Sequence, residues 1–209
     1  MKILFQGDSI TEAGRDKSDP TNLGLGYPKY AAEKITARHP DTNFTFYNFG
    51  ISGNMTENLR DRWQTDCIDY DPDFVSILIG VNDTWHGDYV NNWVPHDYYE
   101  ECYRYCLEEI KAKTHAKILI LEQFLVSPCQ LLDHARHDLG AKIQITRKLA
   151  REYADAFIPL DGIFAASSLH VEPASWAKDG IHPTAAGAQL IADLYVDAFD
   201  KIFPLIEQK

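Results

Sequence analysis

Four short segments hold the side chains of this 209-residue chain most able to do chemistry together. In chain order they are Gly7-Asp8-Ser9-Ile10, Asn48-Phe49-Gly50-Ile51-Ser52-Gly53, Gly80-Val81-Asn82-Asp83 and Asp179-Gly180-Ile181-His182-Pro183. Ser9 offers a hydroxyl, a poor nucleophile until a base takes its proton. His182 is the candidate base. Asp179 precedes it across Gly180, close enough to hold the imidazole Nδ1–H and leave Nε2 facing the serine. Attack on a carbonyl creates an oxyanion, which needs donors already in place. The backbone N–H groups of Ser9 and Gly53 and the side-chain amide of Asn82 are the candidates. Glycine permits close approach and positive φ, and asparagine brings a donor with no charge to bury. Together these groups make an apparatus for acyl transfer that calls for no metal and no other cofactor.

Each piece alone has a plainer reading: a turn serine, a capping aspartate beside a surface histidine, a turn glycine, an Asn-Asp turn. Their joint occurrence in this order outweighs those readings. Asp8, Asn54 and Asp83 border the reacting positions and are expected to brace the loops. Asp8 and Asn54 are also candidate substrate contacts, with Trp85, His86 and Trp176. Trp85 and His86 follow Asn82 closely, and Trp176, shortly before Asp179, is expected to wall the pocket.

Positioning these residues requires a scaffold, and the apolar pattern supplies one. Ile3-Leu4-Phe5, Phe44-Thr45-Phe46-Tyr47, Phe74-Val75-Ser76-Ile77-Leu78-Ile79, Ile118-Leu119-Ile120-Leu121 and Phe157-Ile158-Pro159-Leu160 are short, turn-bounded runs. The first three end at Gly7, Asn48 and Gly80, and the last ends at Asp161. They read as five buried parallel strands. Helical patterns fall at 27–38, 56–63, 97–113, 134–154 and 184–203, with Pro183 suited to a first helical position. The alternation predicts a doubly wound α/β sheet. Ser9, Gly53 and Asn82 each follow the carboxyl end of a strand, the edge where open α/β sheets bind ligands. No repeat, low-complexity tract or linker interrupts the chain, so one domain over 1–209 is expected.

Apolar residues make up 45% and charged residues 24%, and the formal net charge is -11. That acidity argues against nucleic acid or an anionic membrane as partner, since both need a basic face. It suits a small neutral or cationic ester substrate. No stretch reaches the ~18–20 apolar residues of a membrane span. Met1 runs directly into Lys2-Ile3-Leu4-Phe5 without a secretory pattern, so a cytoplasmic protein is expected. Cys67, Cys102, Cys106 and Cys129 match no zinc or redox spacing and are expected to be free, buried thiols. His134 and His137, flanked by Asp133 and Asp138, read as a polar helix start rather than a metal site. Trp85, Tyr89, Trp93, Tyr98, Tyr99, Tyr103 and Tyr105 crowd one segment. Core packing, a subunit interface in a homo-oligomer and stacking on sugar rings all stay open for them.

The four segments resemble the blocks of the SGNH hydrolases, also called GDSL esterases and lipases. Ser9 stands in GDSI, Gly53 in NFGISGN, Asn82 in GVND and His182 in DGIHP. There is no G-x-S-x-G elbow, so an ordinary α/β-hydrolase is disfavoured. The resemblance covers residues 3 to about 200. It implies a flavodoxin-like three-layer α/β/α sandwich, with a five-stranded parallel sheet in the order 2-1-3-4-5. Asn82-Asp83-Thr84-Trp85 and Leu59-Arg60-Asp61-Arg62-Trp63 look like the intracellular carbohydrate-acetyl esterases, especially the acetylxylan esterase group. In that branch the substrates are imported, acetylated xylo-oligosaccharides. Residues 84–99 and 122–138, where substrate loops should lie, match no single specificity. The resemblance implies a serine esterase for short acyl groups on carbohydrate. Alternatives are a lysophospholipase or thioesterase, which chain-length preference separates, and a catalytically silent ligand-binding module.

Overall fold

The computed structural model describes residues 1–90, 94–126 and 130–206, with side chains for 1–86, 94–126 and 135–206. Five strands form one parallel sheet: β1 (Lys2–Gly7), β2 (Thr45–Gly50), β3 (Phe74–Leu78), β4 (Lys117–Leu121) and β5 (Ala156–Ile158). Their order is β2-β1-β3-β4-β5, as the resemblance implies. Gly7 pairs with Gly50 on one side and Leu78 on the other. The three loops that follow β1, β2 and β3 therefore leave the sheet at one level.

Side chains of a strand alternate between faces, and the sheet uses both. Ile3, Phe5, Phe74, Leu119 and Leu121 face one cluster, where Tyr27, Ala31 and Ile35 of α2 (Tyr27–Arg38) meet Ile191, Tyr195 and Phe199 of α9 (Ala185–Ile206). Leu4, Val75, Ile77, Ile118 and Ile120 face the other. There they pack on Leu59 of α3 (Thr56–Asp61), Trp63 of α4 (Trp63–Asp66) and Tyr99, Tyr103, Leu107 and Ile110 of α6 (His96–Lys113). Burying one such side chain is worth ~1.5–3 kcal/mol, so the two clusters fix the helices on their faces. α7 (Gln130–Tyr153) joins the second cluster through Leu149 and Ala150. Both faces are covered, so every strand reads as an apolar run.

Several boundaries differ from the sequence reading. β2 continues past Asn48 to Gly50, because the Asn48 side chain lies buried across the strand end instead of turning the chain. β5 stops at Ile158: Pro159 lacks the N–H a further ladder bond needs, and Leu160 opens α8 (Leu160–Ser167), a helix the pattern did not reveal. The segment 56–63 splits at Arg62 into α3 and α4. Pro183 is not the first residue of α9; it pairs with Ala177 in an isolated bridge. Thr184 takes the capping place, its Oγ1 accepting from Gly187 N–H at 3.3 Å.

Cys67, Cys102 and Cys106 are free and buried, while Cys129 lies outside the described residues. Of the crowded aromatics, Tyr99 and Tyr103 are core residues and Tyr105 is exposed. Tyr98 lies under the Arg60 guanidinium, 5.5 Å from ring centroid to Cζ. Trp93 and the Tyr89 side chain lie outside the described residues. No helix among the described residues is long and apolar enough to cross a membrane.

Candidate active site

Ser9 opens α1 (Ser9–Glu12), a single turn directly behind β1. Its Oγ lies 2.8 Å from His182 Nε2, and His182 Nδ1 lies 2.6 Å from Asp179 Oδ2. Residues 173 positions apart in sequence thus meet within one hydrogen bond. The local turn explains the second contact. Asp179 Oδ1 accepts the backbone N–H groups of Ile181 (3.0 Å) and His182 (2.8 Å), which leaves Oδ2 for the ring. Burial pushes the Asp179 carboxyl up, but the hydrogen bonds from the His182 ring and from the two amides outweigh it and hold it below the usual range. An ionised Asp179 fixes the tautomer with hydrogen on Nδ1, leaving Nε2 free to accept the serine proton. The loop is braced by the segment that follows β4, where Val126 N–H donates to the Gly180 carbonyl at 2.8 Å.

The loops after β1, β2 and β3 are stitched together. Ile51 N–H donates to the Gly7 carbonyl (3.1 Å), and Arg62 donates to the same carbonyl (3.3 Å) and to Asn54 Oδ1 (2.9 Å). Asn48 Nδ2 donates to the carbonyls of Thr11 (2.7 Å) and Leu23 (3.1 Å), tying β2 to the turn that carries Ser9. Asn82 begins α5 (Asn82–Val90), a helix the polar Asn-Asp-Thr start concealed in the sequence. Its Nδ2 donates one hydrogen bond to the Asn54 carbonyl at 3.0 Å. That is the one hydrogen bond the Asn82 amide makes among the described residues. Gly53 has φ of 80°, a conformation other residues rarely take, and a Cβ there would meet His86 Cε1 at 3.7 Å. Gly53 and His86 therefore stand side by side.

Asp8 and Asp83 lie beneath these loops. Asp8 is 1% exposed, and Oδ1 caps the turn by accepting Ile10 N–H at 3.0 Å. Its Oδ2 is buried with no hydrogen-bond partner among the described residues. Burial pushes the Asp8 carboxyl up to about 7, against the opposing pull of Ile10 N–H and the His182 charge. Such a carboxyl offers no surface to a substrate; what it touches is the turn carrying Ser9. Asp83 is also buried, accepting Thr56 Oγ1 (2.6 Å) and Thr56 N–H (3.1 Å). Burial raises it to about 6, with the Thr56 bonds and nearby Lys142 opposing.

Lys142, which the sequence did not single out, anchors the start of α5. It is fully buried, and its Nζ donates to the Asp83 carbonyl (3.0 Å), to Thr84 Oγ1 (3.4 Å) and to Asp138. Asp138 also accepts from Thr84 Oγ1 (2.6 Å) and meets His96 Nε2 (2.8 Å). Its carboxylate is thus committed to α5 and α6. His137 is exposed, His134 lies outside the described side chains, and no group of metal-binding side chains occurs among the described residues.

Trp85 is half-buried against the first core cluster. Trp176 packs on Phe164, ring centroids 6.2 Å apart, while its carbonyl accepts Thr184 N–H at 2.8 Å. It supports the start of α9 and does not line the cleft beside Ser9. That cleft, of about 480 Å³, lies between α2 and α9, and its walls include Ser9, His182, Leu25, Tyr27, Tyr30 and Ala188.

The chain matches the model of the GDSL-like lipase/acylhydrolase family over residues 5–190. It is 31% identical over 203 residues to an acetylxylan esterase of Geobacillus stearothermophilus, spanning 93% of this chain and 92% of that protein. Among solved structures it is similar to a candidate GDSL-like lipase from Parabacteroides merdae, with a TM-score of 0.88 at 35% identity over 94% of each chain. It is also similar to the acetylxylan esterase Axe2 from Geobacillus stearothermophilus, with a TM-score of 0.86 at 30% identity over 94% of this chain and 93% of that one. This kinship favours an ester hydrolase over a silent binding module. With an all-parallel sheet, helices on both faces and a family match over most of its length, the chain belongs to the GDSL-like lipase/acylhydrolase family and is a carboxylic ester hydrolase.

Proposed function

We propose that this esterase removes acetyl groups from carbohydrate hydroxyls, with Ser9 as nucleophile, His182 as general base and acid, and Asp179 orienting His182. The observation that carries the proposal is the hydrogen-bonded chain from Ser9 Oγ through His182 to Asp179. In the first step Oγ attacks the acetyl carbon while Nε2 takes its proton. The carbonyl electrons move to oxygen, where the N–H groups of Ser9 and Gly53 and the second N–H of Asn82 Nδ2 receive them. Collapse breaks the bond to the sugar oxygen, and Nε2 returns the proton to that oxygen. Water then repeats the sequence on the acetyl-serine and releases acetate.

The acetyl and sugar parts of the proposal draw on the likeness to acetylxylan esterase of Geobacillus stearothermophilus, in sequence and in structure. His86, beside Gly53, is the best placed of the proposed substrate contacts, with Trp85 and Asn54 next to it. Three free buried thiols fit a reducing compartment, so a cytoplasmic enzyme acting on imported oligosaccharides belongs to the same proposal. A second reading, hydrolysis of longer lipid or thioester acyl chains, draws on the apolar walls of the cleft beside Ser9.

Initial rates on p-nitrophenyl acetate, butyrate and octanoate, for the native chain and Ser9→Ala, separate the readings. Acetate preference lost in the variant is expected. Octanoate preference would favour the lipid or thioester reading. Activity above a few per cent in Ser9→Ala would remove Ser9 from the mechanism.

A further inference from the structure

We propose that the cleft between α2 and α9 is the alcohol subsite, and that Leu25 and Tyr30 select an uncharged alcohol with an apolar face, such as a pyranose ring. This rests on the reading of Ser9 and His182 given above. A tetrahedral intermediate has four substituents with separate needs. Its oxyanion goes to the donors at Ser9, Gly53 and Asn82, and neither Gly53 nor Asn82 lines the cleft between α2 and α9. Its departing oxygen must lie within reach of His182 Nε2, because that atom returns the proton. Ser9 and His182 line the cleft together with Pro183, Ala185 and Ala188, the chain immediately after the base. An alcohol leaving toward His182 therefore enters it.

The opposite wall is built rather than incidental. Leu25 is 73% exposed, yet its backbone is pinned: its N–H donates to the Ala13 carbonyl at 2.8 Å. Gly24, at φ of 70°, lies so close that a Cβ would stand 2.6 Å from the Glu12 carbonyl oxygen. At Gly26 a Cβ would stand 2.5 Å from that of Ala13. Two glycines press this segment onto the turn carrying Ser9 and hold Leu25 out at the cleft wall. Tyr30, one turn further along α2, adds a half-buried ring.

The chemistry of the walls restricts the occupant. Among the described residues, His182 is the one titratable side chain on them besides the two tyrosines, and no Lys, Arg, Asp or Glu contributes. A phosphodiester head group or the phosphates of a coenzyme thiol would find no cation there. A sugar ring has one face of C–H groups, which fits leucine and tyrosine, and hydroxyls at its rim, for which Thr184 on the cleft wall offers a polar partner.

The test varies the two halves of the ester independently, in the native chain, Leu25→Asp and Tyr30→Ala. The alcohol series is methyl acetate, cyclohexyl acetate and an O-acetylated methyl xyloside. The acyl series is p-nitrophenyl acetate, butyrate and octanoate. In both variants the ratio of kcat/KM for cyclohexyl over methyl acetate should fall about tenfold, carried by KM. The acetate-to-octanoate ratio should hold. A changed acyl ratio with the alcohol ratio intact would make the cleft an acyl groove and overturn the assignment. Both ratios intact would show that no part of the substrate enters. Native preference for cyclohexyl acetate over the acetylated xyloside would remove the sugar reading while leaving the subsite standing, so the two failures are distinguishable.

Discussion

The side-chain amide of Asn82 holds one hydrogen bond to the Asn54 carbonyl, and its proposed role as oxyanion donor predicts what its removal should do. Asn82→Ala should cut kcat by ~10²–10³ with a smaller change in KM, because an oxyanion donor acts mainly in the transition state. An effect confined to KM would make Asn82 a ground-state contact instead. Asp8 leads to a stability prediction. Its carboxyl rises from an ordinary 3.8 to about 7 on burial, so ionising it costs more in the folded chain than in the unfolded one. Its contribution to stability is full below about 3.8 and is lost as pH climbs to about 7. Asp8→Asn keeps an acceptor for Ile10 N–H and removes the titration. Relative to the native chain, the variant should gain stability between pH 4 and pH 8, by ~4 kcal/mol at most. Thermal unfolding at the two pH values checks this, and a difference that ignores pH would place the Asp8 charge in contact with water. Ser9, Asp179 and His182 were legible as residue types in a motif. The strain on Asp8 was not, because burial is a property of the neighbours and not of the residue.

Among the elements, α7 and α5 depend on one buried ammonium. Lys142 binds the Asp83 carbonyl and Thr84 Oγ1 from α7, while the Asp83 carboxylate binds Thr56 on α3. The helix that begins with Asn82 is thereby anchored from two sides. Lys142→Met should cost ~3 kcal/mol of stability, since Asp138 would lose its buried partner. It should also lower kcat more than it raises KM, because Asn82 would be held less firmly. Urea unfolding and steady-state kinetics together check both parts. Lost stability with an intact kcat would confine Lys142 to the scaffold. The sequence concealed this anchor because its partners lie 58 and 59 positions away. It concealed α5 because Asn-Asp-Thr also starts turns, and α8 because Phe157-Ile158-Pro159-Leu160 looks like one apolar run. The long elements α2, α6 and α9 were visible because each buries a broad apolar stripe.

For the molecule as a whole, the two apolar clusters lie on opposite faces of one sheet and share its five strands. Neither can lose its strands without exposing the other, so we expect residues 1–209 to unfold as one domain in a single cooperative transition. Coincident near- and far-ultraviolet circular dichroism melts would agree with this. Separated transitions would divide the chain into two units. At this scale the sequence by itself determined a good deal. Apolar runs on a strand–helix alternation settled a doubly wound sheet, because only burial on both faces tolerates such runs. Three of the four segments placed Ser9, Gly53 and Asn82, the proposed nucleophile and donors, at the carboxyl edge of that sheet, because they directly follow β1, β2 and β3. The tertiary structure alone decided the rest. Parallel pairing of β1 with β2 and β3 leveled the three loops, and the packing of α9 on α2 brought His182 to Ser9 and opened the cleft that Leu25 walls. Distances between residues 173 positions apart, the burial of Asp8 and Lys142 and the shape of a cleft between two helices arise from packing, and no local pattern encodes them.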